Sequence, residues 1–204
     1  MKSVILSVKP AWCAKIANKE KSLEVRKNRP KIETPFKCYI YCTLGSKHLC
    51  LMQNADGVNL IACCDWKTAI PVGGNVSNGK VIGEFICDNI HCFDVPYPAF
   101  QSEMDKNILT ESCCTYYMLH RYAYDEALYG WHISDLKIYD KPRELSEFSR
   151  FGFNGMGYSK CICGNYSCNH FVNSHNYDEP PECEIDSCQL TRAPQSWCYV
   201  EGTT

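Results

Sequence analysis

The chain has 204 residues, 45% hydrophobic and 22% charged, which fits one ordinary globular domain with an elaboration and excludes collagen, coiled coil and wholesale disorder. No apolar run approaches the ~20 residues of a bilayer span, and Lys9-Pro10 cuts the opening apolar stretch before a secretory signal develops, so a cytoplasmic protein without membrane contact is expected. The net charge of -2 hides a dipole: residues 1–31 set nine Lys or Arg against two Glu, whereas residues 161–204 set Arg192 against six carboxylates, so a polyanion is expected on the N-terminal side.

Val4 to Val8 reads as a strand, and Pro10 is placed to start a helix running to about Lys19 with Cys13, Ile16 and Ala17 on one stripe. Ser22 to Arg26 alternates strictly. Leu23 and Val25 take the buried face, and Ser22, Glu24 and Arg26 share the other. Cys38 to Cys42 is a further strand, and His48 to Met52 pairs with Val58 to Cys63 across the turn Asn54-Ala55-Asp56-Gly57. Lys80 to Asp88 is apolar on both faces except for Glu84, and His91 to Val95 adds a shorter strand.

Helical spacing returns at Cys114, Tyr117, Met118, Arg121 and Tyr122, a stripe expected to pack on a sheet. Trp131 to Tyr139 reads as one strand with a bulge at Ser134-Asp135, Pro142 to Leu145 opens a helical turn, and Ser196 to Glu201 closes the chain as a strand. Many short strands with two helices predict an α+β fold built on a bent mixed sheet or small barrel. Neither a phosphate loop nor a dinucleotide fingerprint occurs.

Sixteen cysteines in a reducing compartment do not read as a disulfide framework, and Cys38, Cys42 and Cys87 fit strand patterns as small core residues. Residues 150–189 lose periodicity and carry Cys161, Cys163, Cys168, His170, Cys183 and Cys188. Four of these six are expected to hold a structural Zn²⁺ that orders the segment, with Cys163, Cys168, His170 and either Cys183 or Cys188 favoured over Cys161. The alternative is a loop of unpaired thiols or adventitious disulfides.

The segments Ile5-Leu6-Ser7-Val8-Lys9-Pro10, Asn18 to Arg26, Gly79 to Phe85 and Trp131 to Leu136 together resemble an ASCH domain, in the form common in phages and bacteria. Their most specific element follows G-x-K-[TS]-x-E-x-R, with Lys19 where the pattern usually has Gly. The resemblance implies a PUA-like mixed β-barrel with two or three flanking helices over residues 1–148 plus 190–204, the Cys-rich segment 150–189 being an insertion. It also implies a cleft that binds RNA or a modified nucleoside. For that cleft the chain offers Lys9 and Lys21 as point charges, Arg26 as a planar fork for phosphate, Trp12 and Trp131 as stacking rings, and Ser22, Glu24, Glu84 and His132 as further polar groups.

Some members of that family are hydrolases, and two catalytic readings follow. An amidohydrolase acting on acetylated cytidine would use Lys21 with Glu24, although Glu24 stands where that branch has a Thr; its remaining acid is open among Glu103, Glu111 and Glu126. A ribonuclease would draw on His132, Glu24, Lys21 and Arg26. Against both stand packing roles for the two tryptophans and a surface ion pair for Glu24 and Arg26. An adaptor for a host protein partner is the third expectation.

Overall fold

The computed structural model describes residues 2–54, 57–63, 75–95, 106–148 and 190–202. Strand β1 (Lys2–Val8) leads into helix α1 (Pro10–Ala17), then β2 (Leu23–Arg26), β3 (Phe36–Cys42), the hairpin β4 (His48–Asn54) and β5 (Gly57–Cys63), and the short β6 (Asn75–Val76). After β7 (Lys80–Cys87) and β8 (Ile90–Phe93) come helices α2 (Lys106–Ser112) and α3 (Tyr116–Ala123), then β9 (Leu128–His132), β10 (Ser134–Glu144), a 3₁₀ turn at Leu145–Glu147 and β11 (Trp197–Glu201).

The strands form three sheets, ordered β10-β7-β3-β1-β11, β2-β9-β8 and β5-β4-β6. Strand β1 lies between β3, to which it is parallel, and the edge strand β11, to which it is antiparallel, in the largest sheet; both of its faces are covered, which explains why Val4, Ile5 and Leu6 run apolar without alternation. One face (Val4, Leu6, Val8, Cys38, Ile40) packs on Cys13 and Ile16 of α1 and on Trp131. The other (Ile5, Tyr39, Tyr41, Val81) packs on Phe148 and Leu190. A bulge pairs Ile40 with Gly83 and Tyr41 with Val81, and this turns Ile82 to the same face as Phe85. The Leu190 amide donates to the Phe148 carbonyl at 2.8 Å, so the described residues on either side of the Cys-rich segment meet.

The α+β class and the interplay of sheet and helix follow the sequence reading, but the barrel needs correction. Among the described residues the three sheets do not close on one another. The break lies where one strand was expected from Trp131 to Tyr139: Asp135 takes φ 46°, the register slips between Ser134 and Lys137, and the chain passes from the β2-β9-β8 sheet into the large one. A corner of this kind lets one chain segment serve two sheets. The helical turn also sits later than Pro142, and α2, which has no apolar stripe of its own, was not expected. No helix among the described residues is long and apolar enough to cross a membrane.

The α1–β2 connection aims the site. Pro10 occupies the first helical position, where a missing N–H does no harm. After Asn18, Lys19 adopts φ 61°; its N–H donates to Ile16 O and that of Glu20 to Lys15 O, the paired bonds of a Schellman cap. The left-handed residue of this cap is the one where the ASCH-like pattern has Gly. Relieving the left-handed conformation of a side-chain residue gains ~1–2 kcal/mol, and the greater chain entropy of Gly returns ~0.5–1 kcal/mol. Lys19→Gly is therefore expected to stabilise the fold by about 0.5–1 kcal/mol, read as a rise of a few degrees in thermal midpoint; a fall in midpoint contradicts the capping account.

Candidate functional site: a buried ion cluster beneath a cavity

The tight cap leaves Lys21 outside β2, just before the strand begins, so its side chain escapes strand alternation and joins Glu24. The ammonium donates to Leu23 O and to Ser112 O, both at 2.7 Å, and stands 3.5 Å from Glu24 Oε2. Its fourth neighbour is the Trp12 ring, 5.1 Å away at the centroid. The other Glu24 oxygen, Oε1, meets Arg26 Nη2 at 2.9 Å. Nη2 also donates to Ser7 O at 2.8 Å, and Nη1 reaches Ser196 Oγ at 3.3 Å. Arg26 thereby ties β2 to β1 and to the residue preceding β11. The three charged groups are 3%, 6% and 8% exposed for Lys21, Glu24 and Arg26, so the ion pair read as a surface feature is an interior one.

Above this cluster opens a cavity of ≈ 350 Å³. This size falls within the ~300–1,000 Å³ of small-ligand pockets. Lys9 and Trp12 border it from the α1 end, Thr43 and Gln195 from loops, and Met118, Leu119 and Tyr122 from α3. Helix α3 is capped by Thr115, whose Oγ1 accepts from the Met118 amide at 3.2 Å. It packs through Tyr116, Leu119 and Ala123, not through the stripe expected from the sequence; Met118 and Tyr122 are 42% and 41% exposed and are left to line the cavity. Burial raises the Tyr122 phenol above its ordinary pKa, so the ring stays neutral at physiological pH.

Chemically, the floor of the cavity carries one net positive charge and both hydrogen-bond polarities. Each Glu24 oxygen has a lone pair beyond the cation it meets, and Arg26 Nη1 has a second N–H. An acceptor beside a donor matches the polar edge of a nucleobase. The Arg26 fork itself faces Glu24 and Ser7 O, so it is not presented to phosphate as the sequence reading had it. Lys9, by contrast, is exposed at the rim.

The remaining candidates lie elsewhere. Trp131 has no exposed surface; it is a core residue in edge contact with Phe36 at 5.8 Å, which rules it out as a stacking platform. His132 does not line the cavity: its Nδ1 is 2.6 Å from Asp88 Oδ1 on the β7–β9 side, and this bond lowers the Asp88 pKa. Glu84 is on the far face of the large sheet, paired with Lys37 at 3.3 Å and accepting from Tyr139 Oη at 2.6 Å. Burial works to raise its pKa, but these two donors outweigh that and hold it below the ordinary value. Ser22 borders a second cavity of ≈ 390 Å³ with Lys19 and Asp135.

Of the three open acids, Glu126 pairs with Lys27 at 3.6 Å, Glu111 offers its carbonyl to the Ser22 amide at 3.0 Å, and Glu103 lies outside the described residues. The expected zinc ligands Cys161, Cys163, Cys168, His170, Cys183 and Cys188 also lie outside them. Among the described residues no three His, Cys, Asp or Glu gather as a metal site. Sequence reasoning passed over Tyr122, Met118 and Ser196. Tyr122 and Met118 belong to the apolar stripe, and spacing alone does not say whether such a stripe packs on a sheet or borders a cavity.

No protein-family model and no curated protein matches the chain. Solved structures similar to it include ASCH proteins of Zymomonas mobilis. One is 14% identical with a TM-score of 0.48, covering 98% of this chain and 87% of that one. A tyrosine-to-phenylalanine mutant is 16% identical with a TM-score of 0.45 over 71% and 77% of the two chains, and a serine-to-alanine mutant 17% identical with 0.45 over 70% and 74%. At these values the likeness carries nothing about ligand or activity.

Proposed function

We propose that the chain binds RNA or a modified nucleoside by taking a base into the cavity between α1, β2 and α3. The observation that supports this reading is the buried Lys21–Glu24–Arg26 cluster beneath an open cavity with aromatic rings, Trp12 and Tyr122, among its borders. The rings offer stacking surface, and the Glu24 and Arg26 valences offer the polar edge contacts. The ligand class is the one implied by the ASCH-like segments.

A hydrolase at the same place has less support. A base or nucleophile at Lys21 needs a free lone pair, whereas this nitrogen is surrounded by two carbonyls and a carboxylate placed to accept from an ammonium. The ribonuclease set is not assembled either, since His132 faces Asp88.

Titrating the protein with the four ribonucleosides and with N4-acetylcytidine, by calorimetry, tests the reading. Base–aromatic stacking contributes ~1–3 kcal/mol per base, so Trp12→Ala is expected to weaken the tightest of them about 5–150-fold. Trp12→Phe should recover most of that loss. Equal affinity in wild type and Trp12→Ala removes stacking at this ring from the account.

A further inference from the structure

Beyond β2 the chain runs from Lys27 to Thr34 along a third, larger hollow of ≈ 880 Å³. Its lining includes Lys27, Arg29, Lys31 and Glu33, with Asn89 from the β7–β8 turn and the half-buried Tyr129 from β9. The cations outnumber the carboxylate. Lys27 makes an exposed pair with Glu126 at 3.6 Å, and Arg29 and Lys31 have no carboxylate partner among the described residues.

This segment is held in place from the C-terminal strand. Trp197 Nε1 donates to Asn28 Oδ1 at 2.7 Å, and the Lys31 amide donates to Tyr199 Oη at 2.6 Å. Held at both points, the backbone that carries the exposed cations keeps a fixed path, and a ligand that follows that path does not have to order the loop. The hollow and the cavity share no lining residue, but a contact between Lys27 and Tyr122 bridges them. Lys27 Nζ sits 5.7 Å from the centroid of the Tyr122 ring, which borders the cavity, while Lys27 itself borders the groove. Next to it in β2, Arg26 belongs to the floor of the cavity and pairs across the sheet with Tyr129.

We propose that this groove carries the sugar–phosphate backbone of single-stranded RNA whose base enters the cavity, an inference that rests on the binding reading above. Arg29 and Lys31 neutralise successive phosphates, Lys27 marks the crossing from groove to cavity, and Tyr129 offers a ring to a neighbouring base. A free nucleoside uses the cavity alone.

The test compares wild type with the double variant Arg29→Gln, Lys31→Gln. Binding of a fluorescein-labelled single-stranded RNA octamer is followed by anisotropy from 50 to 200 mM salt, and nucleoside affinity is measured alongside. Each phosphate contact on a single strand contributes a slope of ~0.7 in log affinity against log salt, so losing two flattens the slope by about 1.4. Over that fourfold salt range the variant is expected to weaken about 7-fold less than wild type, with nucleoside affinity unchanged. An unchanged slope overturns the groove, as does a parallel loss of octamer and nucleoside. A flattened slope in a protein that binds no free nucleoside keeps the groove and overturns the cavity reading.

Discussion

Glu24→Ala is expected to lower the unfolding free energy by about 3–5 kcal/mol, the range for removing one partner of a buried ion pair. The carboxylate lies between two cations that are themselves nearly without solvent contact, Lys21 at 3.5 Å and Arg26 at 2.9 Å. Deleting it leaves both charges buried with only neutral oxygens for company. A domain of this kind holds ~5–15 kcal/mol in total, so the variant should be near the limit of folding at 37 °C. Urea denaturation reads the change as a lower midpoint at constant slope. A loss below about 1 kcal/mol is what an exposed pair gives, and it would mean that water reaches the cluster. Glu24→Gln keeps the shape and should also lose stability, since a neutral amide balances neither cation.

The second large effect concerns the large sheet, whose β1 borders the cavity through Ser7 and Val8. A Cβ placed on Gly83 would stand 2.4 Å from the Lys137 carbonyl oxygen and 3.1 Å from Ile138 Cα, both backbone atoms of β10. Neither can swing aside. The pairing of Gly83 with Ile138 lies beside a register shift in β10, so the close approach is part of how the two strands fit. Gly83→Ala is expected to cost about 3 kcal/mol, the upper end for overpacking, because β10 must move off β7. Gly130 provides the contrast: its added Cβ would meet Leu23 side-chain carbons at 2.8 to 3.0 Å, and these can rotate. Gly130→Ala should therefore lose clearly less, about 1 kcal/mol. Equal losses at the two positions would contradict the distinction between backbone and side-chain crowding.

The β1–α1–β2 unit was legible because each of its parts has a local signal: the apolar run ending at Lys9-Pro10, the helical stripe, and the alternation of Ser22 to Arg26. Lys9, Trp12, Lys21, Glu24 and Arg26, grouped in the sequence by the family resemblance and not by these local signals, line one cavity. Alternation says which residues share a face but not what covers it. That is why Glu24 and Arg26, read as exposed on the strand's polar side, are interior, and why Trp131, read as a platform, is sealed in the core.

Helix α2 illustrates a different gap. It has no amphipathic stripe, yet its last residue, Ser112, supplies a carbonyl to Lys21, a contact 91 residues apart in sequence. The α3 stripe was found but turned the wrong way, since Tyr116, Leu119 and Ala123 make the packed face and the longer Met118 and Tyr122 side chains reach the cavity. The Cys and His signals of residues 150–189 fall outside the described residues and stand on spacing alone.

The most direct test follows the four tryptophan indole N–H resonances of ¹⁵N-labelled protein while a nucleoside is added. The Trp12 resonance is expected to shift and saturate, as its ring borders the cavity, while that of Trp131, enclosed in the core, stays in place. A saturable nucleoside complex that leaves Trp12 unmoved would contradict the account.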